Sequence, residues 1–197
     1  QIDFLRRHTR LTFARCGITD PLSLAEYRAH GGLRGLERAR SLGPVETVEE
    51  VVRSGLRGRG GAGFPTGIKW RTVAAAVGAP KYVVCNADEG DSGTFADRMV
   101  MEGDPFVLLE GMAIAAFATG ASQGFIYVRS EYPHAIATLN AALRLARADG
   151  WLGGGFDIEV RVGAGAYVCG EETAMQDSLE GNRGMVRAKP PLPAHHG

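Results

Sequence analysis

Residues 55–67 place six glycines in thirteen positions, Gly-Leu-Arg-Gly-Arg-Gly-Gly-Ala-Gly-Phe-Pro-Thr-Gly. Little core can be built on such a run, because glycine has no side chain to bury and loses more freedom on ordering than any other residue. What the run does supply is close approach of backbone to something else. With Arg57, Arg59 and Lys69 beside it, it fits a loop whose N–H groups and cations hold a phosphate; a plain flexible loop is the competing reading. Gly58-x-Gly60-x-x-Gly63 has the spacing of the dinucleotide fingerprint, but that fingerprint should follow a strand and open a helix. Here Thr47-Val-Glu-Glu50 reads as a capping box leading into a short helix that ends near Gly55. The best strand lies downstream, so an ordinary Rossmann turn is not expected.

Beyond residue 80 the chain alternates strand and helix. Lys81–Cys85 is a β-branched run. Asp104 as N-cap and Pro105 at the first helical position open a helix that ends near Gly120. Phe125–Arg129 is the next strand. A helix from Pro133 carries Ile136, Leu139, Leu143 and Ala146 along one face and closes with Arg144, Arg147 and Gly150. Phe156–Val162 alternates as a third strand, and Gly170-Glu-Glu-Thr173 opens a helix toward Leu179. Repeated strand–helix–strand units predict an α/β fold: a Rossmann-like, mostly parallel sheet with flanking helices. Residues 1–45 form a small helical N-terminal segment, an arm or interaction segment, in which Ser23-Leu-Ala-Glu26 is a capping box stopped by Gly31-Gly32. Arg6, Arg7, Arg10 and Arg15 are expected on a solvated or partner-facing surface. Residues 46–197 form the α/β domain.

Composition removes several function classes. Twenty-two basic residues balance 22 acidic ones, which argues against broad binding to nucleic acid or to a membrane surface. The most apolar run, Phe106–Ala118, is 13 residues long and contains Glu110, so it suits a buried helix and not a membrane span. Cys16, Cys85 and Cys169 lie far apart, with no zinc or iron–sulfur spacing and no disulfide framework; a reducing, cytoplasmic compartment is expected. His8, His30, His134, His195 and His196 form no convincing site, and the terminal pair is expected in exposed loop. The chain starts at Gln1 without methionine and stops after a proline cluster, which suggests a piece of a longer protein.

Ligands of open α/β sheets bind beyond the carboxyl ends of the strands. Two loops there are rich in chemistry. Asn86-Ala-Asp-Glu-Gly-Asp-Ser-Gly-Thr94 gathers Asp88, Glu89 and Asp91. Carboxylates repel phosphate, so this loop suits the sugar hydroxyls and ring N–H groups of a ligand. A divalent metal or a simple turn are the alternatives, and the spacing fails the EF-hand pattern. The second loop, Gly163–Thr173, joins small residues and Tyr167 to the pair Glu171–Glu172 at a helix start. Adjacent acids point to different faces, so one can cap the helix while the other faces a ligand.

Five segments occur in order: Gly58-Arg-Gly-Gly-Ala-Gly-Phe-Pro-Thr-Gly-Ile-Lys-Trp70, Cys85-Asn-Ala-Asp-Glu89, Gly165-Ala-Tyr-Val-Cys-Gly-Glu-Glu-Thr173, Ser178-Leu-Glu-Gly181 and Lys189-Pro-Pro191. Together they resemble the family of flavin-bearing subunits found in respiratory complex I, in NAD-reducing hydrogenase diaphorases and in NAD-dependent formate dehydrogenases (there the beta subunit). The resemblance covers about residues 20–197. It implies bound FMN, NAD(H) as hydride donor or acceptor, and single-electron exchange with iron–sulfur clusters. It further implies FMN contacts from Gly58, Arg59, Gly60, Lys69, Asn86, Asp88, Glu89, Tyr167, Gly170 and Glu171. Gly61, Gly63, Phe64, Asp91, Glu172 and Lys189 would contact the nicotinamide dinucleotide. No residue need act as acid or base, since the protein mainly orients the two cofactors. Glu172 near the adenosine ribose would disfavour a 2′-phosphate, so NAD is expected over NADP.

At Thr72, and at Leu192 just after Lys189-Pro-Pro191, complex I members usually carry aromatics, so the adenine clamp would rest mainly on Phe64. Glu89-Gly-Asp-Ser-Gly-Thr-Phe-Ala-Asp-Arg98 and Met99 to Pro105 resemble the formate dehydrogenase branch most. By the resemblance, a β-grasp domain and a 4Fe-4S domain lie outside residues 1–197 or on a partner. The implied partners are a thioredoxin-like 2Fe-2S subunit and a molybdenum-containing catalytic subunit. Two other classes remain open: a degenerate assembly module without redox activity, and the related subunit of a membrane-bound ferredoxin:NAD oxidoreductase.

Overall fold

The computed structural model describes residues 7–194; Arg6, His195 and His196 lie outside them. Four helices precede the sheet: α1 (Leu24–Ala29), α2 (Arg34–Leu42), α3 (Pro44–Ser54) and α4 (Thr66–Ala75). Then follow β1 (Tyr82–Ala87), α5 (Ala96–Gly103), α6 (Pro105–Thr119), β2 (Gln123–Arg129), α7 (Pro133–Ala148) and β3 (Asp157–Gly163). A 3₁₀ turn, Tyr167–Gly170, leads into α8 (Glu172–Leu179).

The strands form one parallel sheet in the order β1-β2-β3. Tyr82 pairs with Gln123 and Ala87 with Val128; Gln123 pairs with Asp157 and Arg129 with Gly163. The α/β architecture is thus the one the alternation predicts, and all three strands finish at a common edge. The strand bounds differ by one or two residues. Asn86 is a poor strand former, yet it stays in the ladder opposite Tyr127, because pairing overrides local propensity.

Helices α6 and α7 supply the two crossovers and cover one face. Ile126, Val128 and Ile158, all without exposure, meet Phe106, Leu109, Leu139 and Leu143 there. Helix α6 is buried nearly all round, which is why its sequence is apolar without period. Pro105 sets its first turn, and Gly120 ends it with φ 78°. The other face carries Val84 and Tyr127, covered by Cys169 and Met175, and the Tyr127 hydroxyl lies 2.9 Å from Ser178 Oγ.

The N-terminal helices share the first core: Tyr27, Leu33 and Leu36 pack in one cluster with Phe106 and Leu109. Glu110, buried on α6, pins them. Its carboxylate accepts the Tyr27 hydroxyl and the backbone N–H groups of Leu33 (2.8 Å) and Leu36 (2.9 Å). The boundary expected near residue 45 falls in the first turn of α3.

Three local expectations are corrected by the structure. Helix α3 starts at Pro44 and not at a Thr47 cap; Thr47 is already helical and donates to the Gly43 carbonyl at 2.7 Å, while Glu50 pairs with Arg38. Proline at N1 after Gly43 set this start. Arg15 is not solvated surface: its Nε donates to buried Asp104 at 2.7 Å and its guanidinium stacks over Tyr27. Asp104 therefore stands at the N-cap of α6 without capping it through its side chain. Ser23 does cap α1, accepting the Glu26 N–H at 3.2 Å, but Glu26 turns to the Asp20 N–H instead of closing the box. No helix among the described residues is long and apolar enough to cross a membrane.

Candidate functional site

At the carboxyl edge, the loop after β1 meets the loop after β3. Asn86 extends the strand and donates Nδ2 to the Gly170 carbonyl at 2.7 Å, so the two loops are joined at their bases. Asp88 lies just beyond, 3 % exposed. Glycines wall it in: a Cβ on Gly90 would stand 2.9 Å from Asp88 Oδ2, and one on Gly170 3.2 Å from it. Hydrogen-bond donors are missing from the influences on this carboxylate. Burial pushes its pKa up, the Arg129 charge opposes that, and Glu131 adds to it. No hydrogen bond reaches this carboxylate among the described residues and its oxygens are not sealed from solvent, so they remain able to accept a ligand hydroxyl or N–H.

Glu89 behaves differently. Its backbone sits in the left-handed region, φ 43°, and its carboxylate turns away to the start of α5. There it accepts the N–H groups of Asp97 (2.8 Å) and Arg98 (3.0 Å) and the Tyr132 hydroxyl (3.0 Å). Three donors thus already meet the Glu89 side chain, which acts here as a helix cap, and any contact to a flavin would add to them. The Tyr132 ring is held between the guanidinium groups of Arg98 and Arg129, 5.4 and 5.3 Å from its centroid. Arg129, the last residue of β2, donates to the Glu89 carbonyl at 2.8 Å and to Glu131 at 3.0 Å. Arg129 and Tyr132 were not singled out from the sequence. The available signal was a charged residue ending an otherwise apolar strand, followed at once by Ser-Glu-Tyr.

The second loop divides its two acids as adjacent residues at a helix start must. Glu171 caps α8 through the N–H groups of Thr173 and Ala174. Burial pushes its pKa up, but bonds from Lys189, Thr173 and Ala174 outweigh that and hold it at about 2. Glu172, one residue on, is free of the cap. Lys189 donates to Glu171 at 2.7 Å and lies 2.6 Å from Glu172. A strap brings Lys189 there by running back along α8. The Met185 N–H donates to Asp177, the Arg187 N–H to Thr173 Oγ1 at 2.9 Å, and Gly184 packs on Cys169. Tyr167 is 70 % exposed, and its hydroxyl donates to Asp91 at 2.7 Å, which bridges the two loops again.

The glycine run lies between α3 and α4 as a closed loop. Arg57 and Pro65 form a bridge, the Gly58 N–H donates to the Phe64 carbonyl at 2.9 Å, and Arg57 braces the Gly63 carbonyl. Gly61 and Gly63 have φ of 99° and 61°, which other residues rarely adopt. A Cβ on Gly60, Gly61 or Gly63 would meet nothing, so this backbone faces open space with Arg59 and half-exposed Phe64 beside it. One turn into α4, Lys69 Nζ stands 3.9 Å from Glu172, which links the glycine loop's helix to the second loop.

This stretch falls inside the match to a protein-family model described as the Nuo51 FMN-binding domain, which spans residues 51–197. The chain belongs to this family. It is 50 % identical to the NADP-reducing hydrogenase subunit HndC of Solidesulfovibrio fructosivorans, over 98 % of this chain and 40 % of that protein. It is 51 % identical to an NADH-quinone oxidoreductase subunit of Rhizobium meliloti, over 91 % of this chain and 45 % of that protein. Among solved structures, an NAD+-reducing [NiFe]-hydrogenase in the H2-reduced state superposes with a TM-score of 0.78 at 38 % identity, covering 95 % of this chain and 31 % of the other. The chain thus spans less than half the length of these relatives.

The side chains fit what a Nuo51 domain binds. The open glycine backbone with Arg59 and Lys69 suits a phosphate, and the donor-starved Asp88 suits hydroxyls. Of the expected site residues, the fold brings together Asn86, Asp88, Asp91, Tyr167, Gly170, Glu171, Glu172, Lys189 and Lys69. Gly58 and Arg57 brace the glycine loop from within. Cys16, Cys85 and Cys169 are free thiols, and no cluster of metal-ligating side chains occurs among the described residues.

Proposed function

We propose that this domain holds FMN and lays a nicotinamide dinucleotide over it, as the NADH-oxidising or NAD-reducing module of a multisubunit dehydrogenase. Bound FMN supplies hydride exchange with the dinucleotide and one-electron exchange with iron–sulfur clusters. The chain's own residues bind and orient. Gly58, Arg59, Gly60 and Lys69 take the FMN phosphate. Asn86 and Asp88 accept the ribityl hydroxyls, Glu89 contributes its backbone, and Tyr167, Gly170 and Glu171 line the flavin. Gly61 and Gly63 let the dinucleotide approach, Phe64 stacks on its adenine, and Asp91, Glu172 and Lys189 engage its sugars and phosphates. Lys189 and Tyr167 must exchange their present carboxylate partners for the ligand as it enters.

The observation that carries this reading is Asp88: a carboxylate only 3 % exposed, with no hydrogen-bond donor among the described residues, set between two glycines at the carboxyl edge of a parallel sheet. The test is an absorbance spectrum of the full-length protein in its native assembly, before and after anaerobic NADH. A flavin band that bleaches supports the reading; absence of flavin from the intact assembly overturns it in favour of an assembly module without redox chemistry.

Glu172 near the ribose favours NAD. A second reading, NADP, rests on the two cations beside that carboxylate, Lys69 and Lys189, and on the name of HndC. Bleaching by NADPH at comparable concentrations would decide for it. For the assembly, we propose a cytoplasmic location, residues 46–197 as the cofactor domain, and a β-grasp and a 4Fe-4S domain beyond it. A 2Fe-2S subunit and a catalytic subunit would complete the electron path. Hydrogenase and quinone-reductase relatives support that general assembly equally. A molybdenum-containing formate dehydrogenase rests on residues 89–105 alone.

A further inference from the structure

We propose that Arg129 is the positioning residue of the flavin site: it pins the Glu89 carbonyl, and so fixes the loop that presents Asp88 to ligand hydroxyls. The inference rests on the flavin reading above and deepens it.

Three observations converge on this residue. Arg129 ends β2, in register with Gly163 of β3, so it stands where the loops after all three strands meet. One guanidinium nitrogen fixes the left-handed Glu89 at 2.8 Å and the other takes Glu131 at 3.0 Å, while the ring of Tyr132 lies 5.3 Å from its carbon. Its Nε is buried without any acceptor. That donor remains open to an acceptor, and the charge acts on Asp88. The charges acting on Asp88 are few. Arg129 favours its ionised form, Glu131 opposes it, Glu89 neighbours it in the loop, and the Tyr127 phenol faces it from the same strand as Arg129. Tyr167 lies across Gly90. Arg129 is thus the one cation among those groups, and burial acts against the carboxylate wherever that cation is lost.

The consequence is a pH dependence that steepens on substitution, since Arg129 opposes the upward push of burial on Asp88. An ionised Asp88 accepts ligand hydroxyls in charge-assisted bonds, whereas a protonated one accepts them weakly. FMN rebinding to the flavin-depleted full-length protein, in its native assembly, is followed by quenching of flavin fluorescence from about pH 5.5 to about pH 8. Arg129→Met should bind about tenfold more weakly than wild type at the upper end and fall off more steeply than wild type toward the lower end. Arg129→Lys should restore the wild-type profile, because it restores the charge. Asp88→Asn/Arg129→Met should be weak but flat, because nothing remains to titrate. The inference is overturned if Arg129→Met binds as wild type with the wild-type profile, or if the steeper slope persists once Asp88 is gone. Failure of the wild type itself to take up FMN overturns the flavin reading, and is seen before any variant is made.

Discussion

Of the three carboxylates buried among the described residues, Glu110 and Asp88 are treated in opposite ways. Glu110, in the middle of α6, receives the Tyr27 hydroxyl and two backbone N–H groups. Asp88, at the carboxyl edge of the sheet, receives no hydrogen bond from the described residues. The first is saturated and works as a structural pin between the N-terminal helices and the core. The second is left wanting, with glycines instead of side chains around it. Burial depth alone does not separate structure from function here; donor supply does.

The largest effect expected from breaking this contrast is on stability. Glu110→Ala strands three donors at once, and should cost about 3 kcal/mol or more in denaturant unfolding. FMN affinity of the molecules that remain folded should not change. Asp88→Asn should do the reverse: unfolding stability unchanged or slightly higher, and FMN affinity lower by about one to two orders of magnitude, the worth of charge-assisted bonds. If Asp88→Asn unfolds the protein while Glu110→Ala spares it, the contrast is misread.

Lys189→Met should act more mildly, raising the KM for the dinucleotide about tenfold while FMN affinity in titration stays the same. The smallest effect concerns pH. Glu171 is held at about 2, below its ordinary 4.5, so its contribution to stability is complete above about pH 4.5 and is lost as pH falls through 2. Unfolding curves over that range should show a shallower loss in Lys189→Met, since one of the bonds that lowers Glu171 is then absent already.

Much of the fold was legible because it rests on periodicity. The helices closed by Gly55, Gly120 and Gly150 end where their glycines stand, and Leu139, Leu143 and Ala146 occupy the buried face that their spacing predicts. The misread elements are those where a distant partner overrides a local rule. Arg15 looked solvated because its acceptor, Asp104, is 89 residues away. Thr47-Val-Glu-Glu50 matched a capping box, but Pro44 had already started the helix and Arg38 had claimed Glu50. Within the site, Glu171 caps α8 as its place at the helix start allows, and both acids meet Lys189. The capping of α5 by Glu89 could not be read from the sequence, which does not tell which way a carboxylate turns; its left-handed backbone sends it there. Arg129 was overlooked since its meaning comes from the register of β2 between β1 and β3.

The strap over α8 carries a consequence for how this segment can vary over time. Met185 and Arg187 are tied to Asp177 and Thr173, and Lys189 arrives two residues later against both carboxylates at the helix start. An extended chain advances about 3.3 Å per residue, so a single insertion or deletion between residues 185 and 189 shifts the ammonium by a full bond's reach. Side chains along the strap are free to drift, whereas its length is not. Across descendants of this gene, gaps should collect before Gly181 or after Pro193 and be absent between them.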